Sequence, residues 1–343
     1  MKESLLEILA CPISGLPLTL MGAERKDGEI TGGLLIAEGG KYPIIDGVPC
    51  FLDADQQIAA KQGFTAMWRY RQRGAFEHRT LYGIKPARKA EWVETRFPSP
   101  VLAGDLVLDA GCGSAETTRV LADNHPDAQV IGLDFSDALR IAARGSELMP
   151  NLHFVQADIA NPPFRAGSFN KVLSLGVLHH TPDTRAALAG VVKLLDSEGE
   201  LLVWLYPAFG ENFMTDQLYL MRDLQFMGAA HKLQPEVRLK AAKLYSLGMM
   251  PSMMAAYGLY KTLSKLGGNR SNKVLSEDMS VKELFDTATF AVFDNLTPQY
   301  QHRHSKTEVM GWLRELGMTA LCTDGHGTFT ARMAGIPAET QIA

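Results

Sequence analysis

The chain has 343 residues, 46% hydrophobic and 21% charged, with a formal net charge of −4, which is material for a sizeable core and two or three domains. Its four cysteines, Cys11, Cys50, Cys112 and Cys322, are scattered with no C-x-x-C pair, which argues against a disulfide framework and a zinc knuckle. Met1 to Ile8 lacks the apolar stretch of a secretory leader, so the expectation is a reduced protein of the cytoplasm.

In chain order, Leu5 to Leu18 runs from a short helix into a turn and a strand. Glycine-rich turns follow, and Lys41 to Leu52 reads as two extended pieces around Asp46-Gly47. The leucine-rich start, Ala10-Cys11-Pro12 and the closing Tyr42-Pro43-Ile44-x-Asp46-Gly47-x-Pro49 resemble the small Trm112-like domain. Zinc-binding members of that family carry a second cysteine two or three residues after the first. Ser14 and Gly15 stand there in this chain, and one thiolate cannot build a tetrahedral site. Residues 1–55 are therefore expected to form a Trm112-like N-terminal domain without zinc ligands, used for packing or substrate contact.

A helical linker or lid is expected over 56–99. Within it, residues 61–89 hold eight cations, Lys61, Arg69, Arg71, Arg73, Arg79, Lys85, Arg88 and Lys89, against Glu77 alone, a net +7. One reading is neutralisation by the acidic remainder across a solvated surface. The other is an anionic substrate, a lipid headgroup surface or RNA, the last encouraged by Trp68, Tyr70 and Phe76 between the arginines.

Residues 100–207 carry the strongest signal. Leu106, Val107 and Leu108 form a buried-strand run ending in Asp109, and Gly111 and Gly113 let the backbone turn tightly against a ligand. Ser114 is placed to cap a helix that ends near Asn124, and Val130 to Leu133 deliver Asp134 at a strand's carboxyl end, where an acid accepts two ribose hydroxyls. A dinucleotide fingerprint needs a third glycine and a helix N-terminus facing a pyrophosphate. Here Ala115 and Glu116 follow, and an acid in the first helical turn repels a pyrophosphate, so a ligand without phosphates fits better.

The acid followed by alternating glycines, Asp109, Gly111 and Gly113, resembles the first motif of the class I S-adenosylmethionine (SAM)-dependent methyltransferases of type 11/25. The resemblance continues through a third strand, Asn151 to Gln156, with Asp158 after it, a fourth, Ser168 to Leu175, with the loop Gly176 to His180, and a fifth, Glu200 to Tyr206, after a turn at Gly199. It implies an α/β fold, a Rossmann-like seven-stranded methyltransferase sheet with a helical insertion. It also implies SAM as cofactor, held by Asp109, Gly111, Cys112, Gly113, Asp134, Phe135, Asp158, Ile159 and Leu175, with Asp158 on the adenine amine. Asn161-Pro-Pro-Phe164 spells the signature by which some methyltransferases hold a planar amine. It follows the third strand rather than the fourth, so the expectation is a proline-rich turn with Phe164 in the core.

Residues 208–300 are expected to insert a helical substrate lid. With Met279 it holds eight of the 15 methionines, and seven of them, Met214, Met221, Met227, Met249, Met250, Met253 and Met254, suit an adaptable apolar wall. A second cationic stretch over 231–275 sets Lys232, Arg238, Lys240, Lys243, Lys261, Lys265, Arg270 and Lys273 against Glu236, again +7. Between its ends residues 244–260 carry no charge, a run too short and too broken by Gly248, Pro251 and Gly258 to span a bilayer. A membrane-surface element is the alternative to the lid. Residues 301–335 complete the sheet: Ser305 to Glu308 reads as a capping box, Gly317 as a helix stop, and Met318 to Thr323 with Thr328 to Met333 as an antiparallel pair.

Methyl transfer is an in-line displacement, so the protein mainly aligns donor and acceptor and, for a hydroxyl, amine or thiol, removes a proton. His180, after the fourth strand, is the best-placed candidate. His179 is its neighbour, and Tyr300, His302 and His304 lie in a polar loop expected at the same edge of the sheet. No metal is expected, because His302-x-His304 has no obvious carboxylate partner. The resulting expectation is a SAM-dependent methyltransferase for a small or lipid-linked, anionic metabolite. The alternatives are a tRNA or rRNA methyltransferase, in which nucleic acid is the partner, and a non-catalytic SAM-binding protein.

Overall fold

The computed structural model describes residues 1–57, 64–76, 79–146, 149–211, 227–266 and 278–335; Lys61, Glu77, Met214, Met221, Arg270 and Lys273 lie outside them. The chain opens with a short 3-10 helix, Glu3–Glu7, followed by a four-stranded antiparallel meander of β1 (Thr19–Lys26), β2 (Glu29–Ala37), β3 (Gly40–Ile45) and β4 (Val48–Pro49). Asp46 and Gly47 both take left-handed backbone, φ 52° and 75°, the conformation that a two-residue hairpin loop demands. Two helices follow, α1 (Phe64–Gln72) and α2 (Pro86–Glu94).

The main body alternates β5 (Leu106–Ala110), α3 (Glu116–Asn124), β6 (Gln129–Asp134), α4 (Ala138–Arg144), β7 (Leu152–Gln156), β8 (Phe169–Leu175), α5 (Thr184–Val192) and β9 (Leu195–Trp204). The long α6 (Pro235–Leu266) and α7 (Val281–Leu296) interrupt it, and α8 (Lys306–Glu315), β10 (Met318–Thr323) and β11 (Thr328–Met333) finish it. Seven strands pair in the order β10-β11-β9-β8-β5-β6-β7, and β11 alone runs against the others. This is the Rossmann-like seven-stranded sheet expected from the motifs. The order reverses between β5 and β8, which opens a crevice at their carboxyl ends.

Alternation along the strands builds two cores. Val107, Val130 and Leu173 face α2, α3 and α4, while Leu108, Ile131 and Val172 face α5 and α8. The second core also takes in Leu5, Leu9, Tyr42 and Phe51, so the N-terminal meander has its own sheet but shares its apolar interior with the main one. Its last segment continues the large sheet. The Phe51 amide donates to the Gln156 carbonyl at 2.8 Å, which covers the end of the β7 edge, and the Ala10 amide donates to Pro163 in the following turn at 2.9 Å. In this seam Phe164 is buried edge-on to Phe169 at 5.1 Å, as the proline-rich turn predicts.

Several local expectations are corrected. α3 starts at Glu116, and Ala115, not Ser114, is the residue before it, in left-handed backbone at φ 60°. β9 begins at Leu195 instead of after Gly199, with extra residues bulging between the Phe169 and Lys171 pairings. Only half of the box at Ser305 forms: its hydroxyl accepts the Glu308 amide, but the Glu308 carboxylate turns to His304. The complete capping box is at Ser280 and Glu283, opening α7. α6 passes through Gly248, Pro251 and Gly258 as one helix.

At the amino end of the sheet Lys171 and Glu200, with side chains 3% exposed, pair at 2.7 Å, and Ser99 and Arg332 add hydrogen bonds. Glu200→Gln, which leaves the Lys171 ammonium buried without its counter-charge, is expected to cost about 3–5 kcal/mol in urea unfolding, and Lys171→Met with Glu200→Leu to recover most of it. Burial disfavours the ionised Glu200, yet its bonds from Lys171, Arg332 and Ser99 together hold the carboxyl below its ordinary 4.5. The stabilisation is therefore complete above that value and fades as the pH falls below it.

Candidate functional site

The crevice is built on the turn between β5 and α3. Gly111 and Gly113 have φ of 95° and 58°, and both are packed so closely that a side chain is excluded. A Cβ on Gly111 would lie 2.2 Å from Val177, and one on Gly113 would lie 2.5 Å from the Trp68 indole. Asp134, at the end of β6, ties the turn in place: one carboxylate oxygen accepts the Gly113 amide and the other the Ser136 amide, both at 2.8 Å. Each oxygen keeps lone-pair capacity for a hydroxyl of a ligand. Asp109 accepts the Thr118 hydroxyl at 2.7 Å. Burial pushes its carboxyl up to about 6, against the Thr118 bond and the Lys89 charge.

Asp109, Gly111, Cys112, Ser114, Glu116 and Leu175 line one narrow cleft together with Lys89 and Leu81, residues that carry no sequence motif. Burial lowers the Lys89 pKa, and the facing Asp109 and Glu116 oppose that shift, so the cleft holds both signs of charge. Asp158, after β7, accepts the Ala160 amide at 2.9 Å and the Gln56 amide at 3.4 Å, and Ile159 beside it is buried. Phe135 packs against Cys50 and Leu52 of the N-terminal segment. The glycine turn, the two acids at the ends of β6 and β7 and the mixed-charge cleft make a chemically sound cradle for a nucleoside with a zwitterionic tail.

α1 closes over this cradle through its arginines. Arg71, almost wholly buried, makes a bidentate pair with Glu116 at 2.9 and 3.1 Å and donates to the Thr80 carbonyl. Arg69 pairs with Asp137, whose amide donates to Thr65. Arg79 meets Asp278 and Glu283, Lys85 meets Asp278, and Arg88 meets Glu91. These members of the first cationic stretch are thus neutralised within the fold. The interleaved aromatics point inward: Phe76, Trp68 and Tyr70 pack on Phe290 and Phe293 of α7, which removes the stacking surface that an RNA reading requires.

The histidines gather at the carboxyl ends of β8 and β9, where the polar loop before α8 returns. The His302 amide donates to the His179 carbonyl at 2.9 Å, and the His304 amide to Tyr206 at 3.0 Å. His180 Nδ1 lies 2.9 Å from the Tyr300 carbonyl. A carbonyl only accepts, so Nδ1 carries the proton and Nε2 keeps a lone pair. His179 takes the opposite tautomer, because its Nδ1 accepts the Tyr206 amide at 3.3 Å. It is fully buried and stacked on the Tyr206 ring at 3.8 Å. His304 is packed on Trp312 and bonded to Glu308, and burial lowers its pKa despite that carboxylate. His302 lies between the rings of Tyr300 and His304, at 6.1 and 6.2 Å. Sequence reasoning missed Asp294 of α7, a buried carboxyl pushed up to about 6 by burial against the hydrogen bond from Tyr82.

Residues 107–199 match the family described as Methyltransferase domain. A trans-aconitate 2-methyltransferase of Deinococcus radiodurans is 40% identical over 120 residues, which cover 35% of this chain and 45% of that protein. The chain thus spans less than half the length of that relative. A ubiquinone biosynthesis O-methyltransferase of Albidiferax ferrireducens is 30% identical over 227 residues, 62% of this chain and 81% of that protein. Among solved structures, the magnesium protoporphyrin IX methyltransferase of Synechocystis with bound SAH aligns with 81% of this chain and 100% of that one, at 15% identity and a TM-score of 0.43.

The contact between Trp68 and Gly113 is open to test. Gly113→Ala is expected to expel the indole from the turn, with a red shift of Trp68 emission isolated by difference against Trp68→Phe. It should also cost roughly 2–4 kcal/mol, the sum of left-handed strain and overpacking. Unchanged emission would mean that the indole is not seated there.

Proposed function

As the chain belongs to the class I SAM-dependent methyltransferase family, we propose that it transfers a methyl group to a small acceptor, with His180 as the base. The observation that carries this reading is the Nδ1 bond of His180 to the Tyr300 carbonyl, which sets the neutral tautomer with the proton on Nδ1 and the basic lone pair on Nε2. Asp134 would hold the ribose hydroxyls, Asp158 and Ile159 the adenine edge, and Asp109 with Lys89 the charged methionine end. Cys112, Phe135 and Leu175 would supply walls. When bound, SAM supplies an electrophilic methyl group on a sulfonium sulfur.

The residues of this chain then have separable tasks. His180 takes the proton of a hydroxyl, amine or thiol, Tyr300 orients it through its main chain, and His179 and His304 hold the loop through packing. Trp68 and Val177 exclude water from the glycine turn. The acceptor is a small molecule of lipid-linked type: the spanned relative is named for ubiquinone biosynthesis, and the ion pairs of Arg69, Arg71 and Arg79 draw these three charges into the fold and away from a polyanion. Residues 1–55 act as a metal-free Trm112-like unit that covers the end of the β7 edge, 56–99 as the segment closing the donor cleft, and 208–300 as the acceptor wall.

Asp134→Ala is expected to abolish SAM binding by calorimetry, since two ribose hydroxyls left unpaired in a buried site cost about 1–3 kcal/mol apiece. An unchanged affinity in the folded variant would overturn the donor site. SAM affinity should also fall as the pH drops through about 6, where Asp109 takes up a proton, and Asp109→Asn should remove that dependence. His180→Gln is expected to slow methyl transfer to a proton-bearing acceptor, read as SAH release, by about 10²–10⁴-fold with SAM affinity intact. His179→Gln should instead lower thermal stability.

A further inference from the structure

We propose that the outward face of α6 is a docking surface for an anionic lipid bilayer. α6 buries one side against α7, where Ala242 joins the Phe290 and Phe293 cluster and Met250 joins Met279 and Leu284. The opposite side is equally apolar. Leu244, Leu247, Met254 and Leu259 are 73%, 62%, 47% and 61% exposed. At 3.6 residues per turn these four fall within about 140° of arc along roughly 25 Å of helix. Gly248, Pro251, Ala255 and Gly258 fill the surface between them, and residues 244–260 contain no charge. A helix that meets water normally turns polar residues outward, and no described residue covers this stripe.

Charge at the two ends of the stripe selects the occupant. Lys240 and Lys243 are exposed just before Leu244, Lys261 follows Leu259, and Glu236 is the one acid in the α6 sequence. A second copy of this chain, packed through the same face about a two-fold axis, would set cations against cations at both ends. A nucleic acid would match the lysines but leave four large apolar side chains in water. An anionic bilayer answers both features: the apolar side chains enter the headgroup boundary while the lysine stems reach back to the phosphates. No helix of the described residues is long and apolar enough to cross the membrane, so the contact is with one leaflet. The inference is independent of the proposed methyl transfer, because it needs neither SAM nor an acceptor to be observed.

Vesicle flotation of the full chain tests it, with phosphatidylcholine vesicles containing phosphatidylglycerol compared against phosphatidylcholine alone. Binding is expected to the anionic vesicles only, weakening as salt rises. Lys240→Gln and Lys243→Gln should each weaken it about fivefold. Leu244→Gln with Leu247→Gln should weaken it at least tenfold, with unchanged circular dichroism because both side chains face outward. The proposal is overturned if wild type ignores anionic vesicles, or if the folded leucine variant binds as well as wild type, which would leave a non-specific charge effect. Sedimentation showing a dimer that the leucine variant dissociates, with no vesicle binding, would assign the stripe to self-association and likewise overturn it.

Discussion

The carboxylate of Asp134 joins the two halves of the site. By accepting the amides of Gly113 and Ser136 it links the turn after β5 to the start of the segment after β6, so both carboxyl-end loops are placed by one side chain. The geometry is available only because the strand order reverses beside β5, which leaves the carboxyl ends of β5 and β8 with a crevice above them. Glycine is needed on the other side of the contact. The positive φ at Gly111 and Gly113 and the van der Waals contact with Val177 and Trp68 leave no room for a Cβ.

Closing that crevice uses charge in an unusual place. Glu116 opens α3 beneath the cleft, where a lone carboxylate would be costly to bury, and Arg71 reaches across from α1 to neutralise it. The same pair that satisfies Glu116 anchors α1 over the glycine turn, and Phe290 packs beneath the Arg71 guanidinium at 5.5 Å. A cluster of basic residues in one stretch of chain thus becomes a set of separate struts to α3, α4 and α7.

The two adjacent histidines show how main-chain contacts sort residues of identical chemistry. His179 accepts from a backbone amide and is locked in the core, while His180 donates to a backbone carbonyl, which puts its lone pair on Nε2. The His179 bond comes from the chain just after β9, whereas the His180 bond depends on the loop from Thr297 to Ser305 being brought back over β8 and β9 between α7 and α8.

Local patterns determined the sheet strands apart from the start of β9, the glycine turn, the acids at the ends of β6 and β7 and the antiparallel final pair, because each rests on residues within one turn or strand, where period and glycine placement dictate backbone conformation. They also placed Phe164 in the core, since a proline-rich turn directs its neighbour inward. The start of α3 was misplaced by one residue, as an alanine held by its buried surroundings took the left-handed position that local propensity reserves for glycine. Tertiary structure alone decided that Lys89 and Glu116 share the cleft, that Asp294 meets Tyr82, that Trp68 lies on Gly113 and that His179 and His180 differ. These contacts join residues far apart in sequence, with partners chosen by packing of whole elements, and no periodicity within either segment encodes the other. The outward face of α6 lies between the two cases: its missing charge was legible in the chain, but which side of the helix met α7 and which was left bare required the fold.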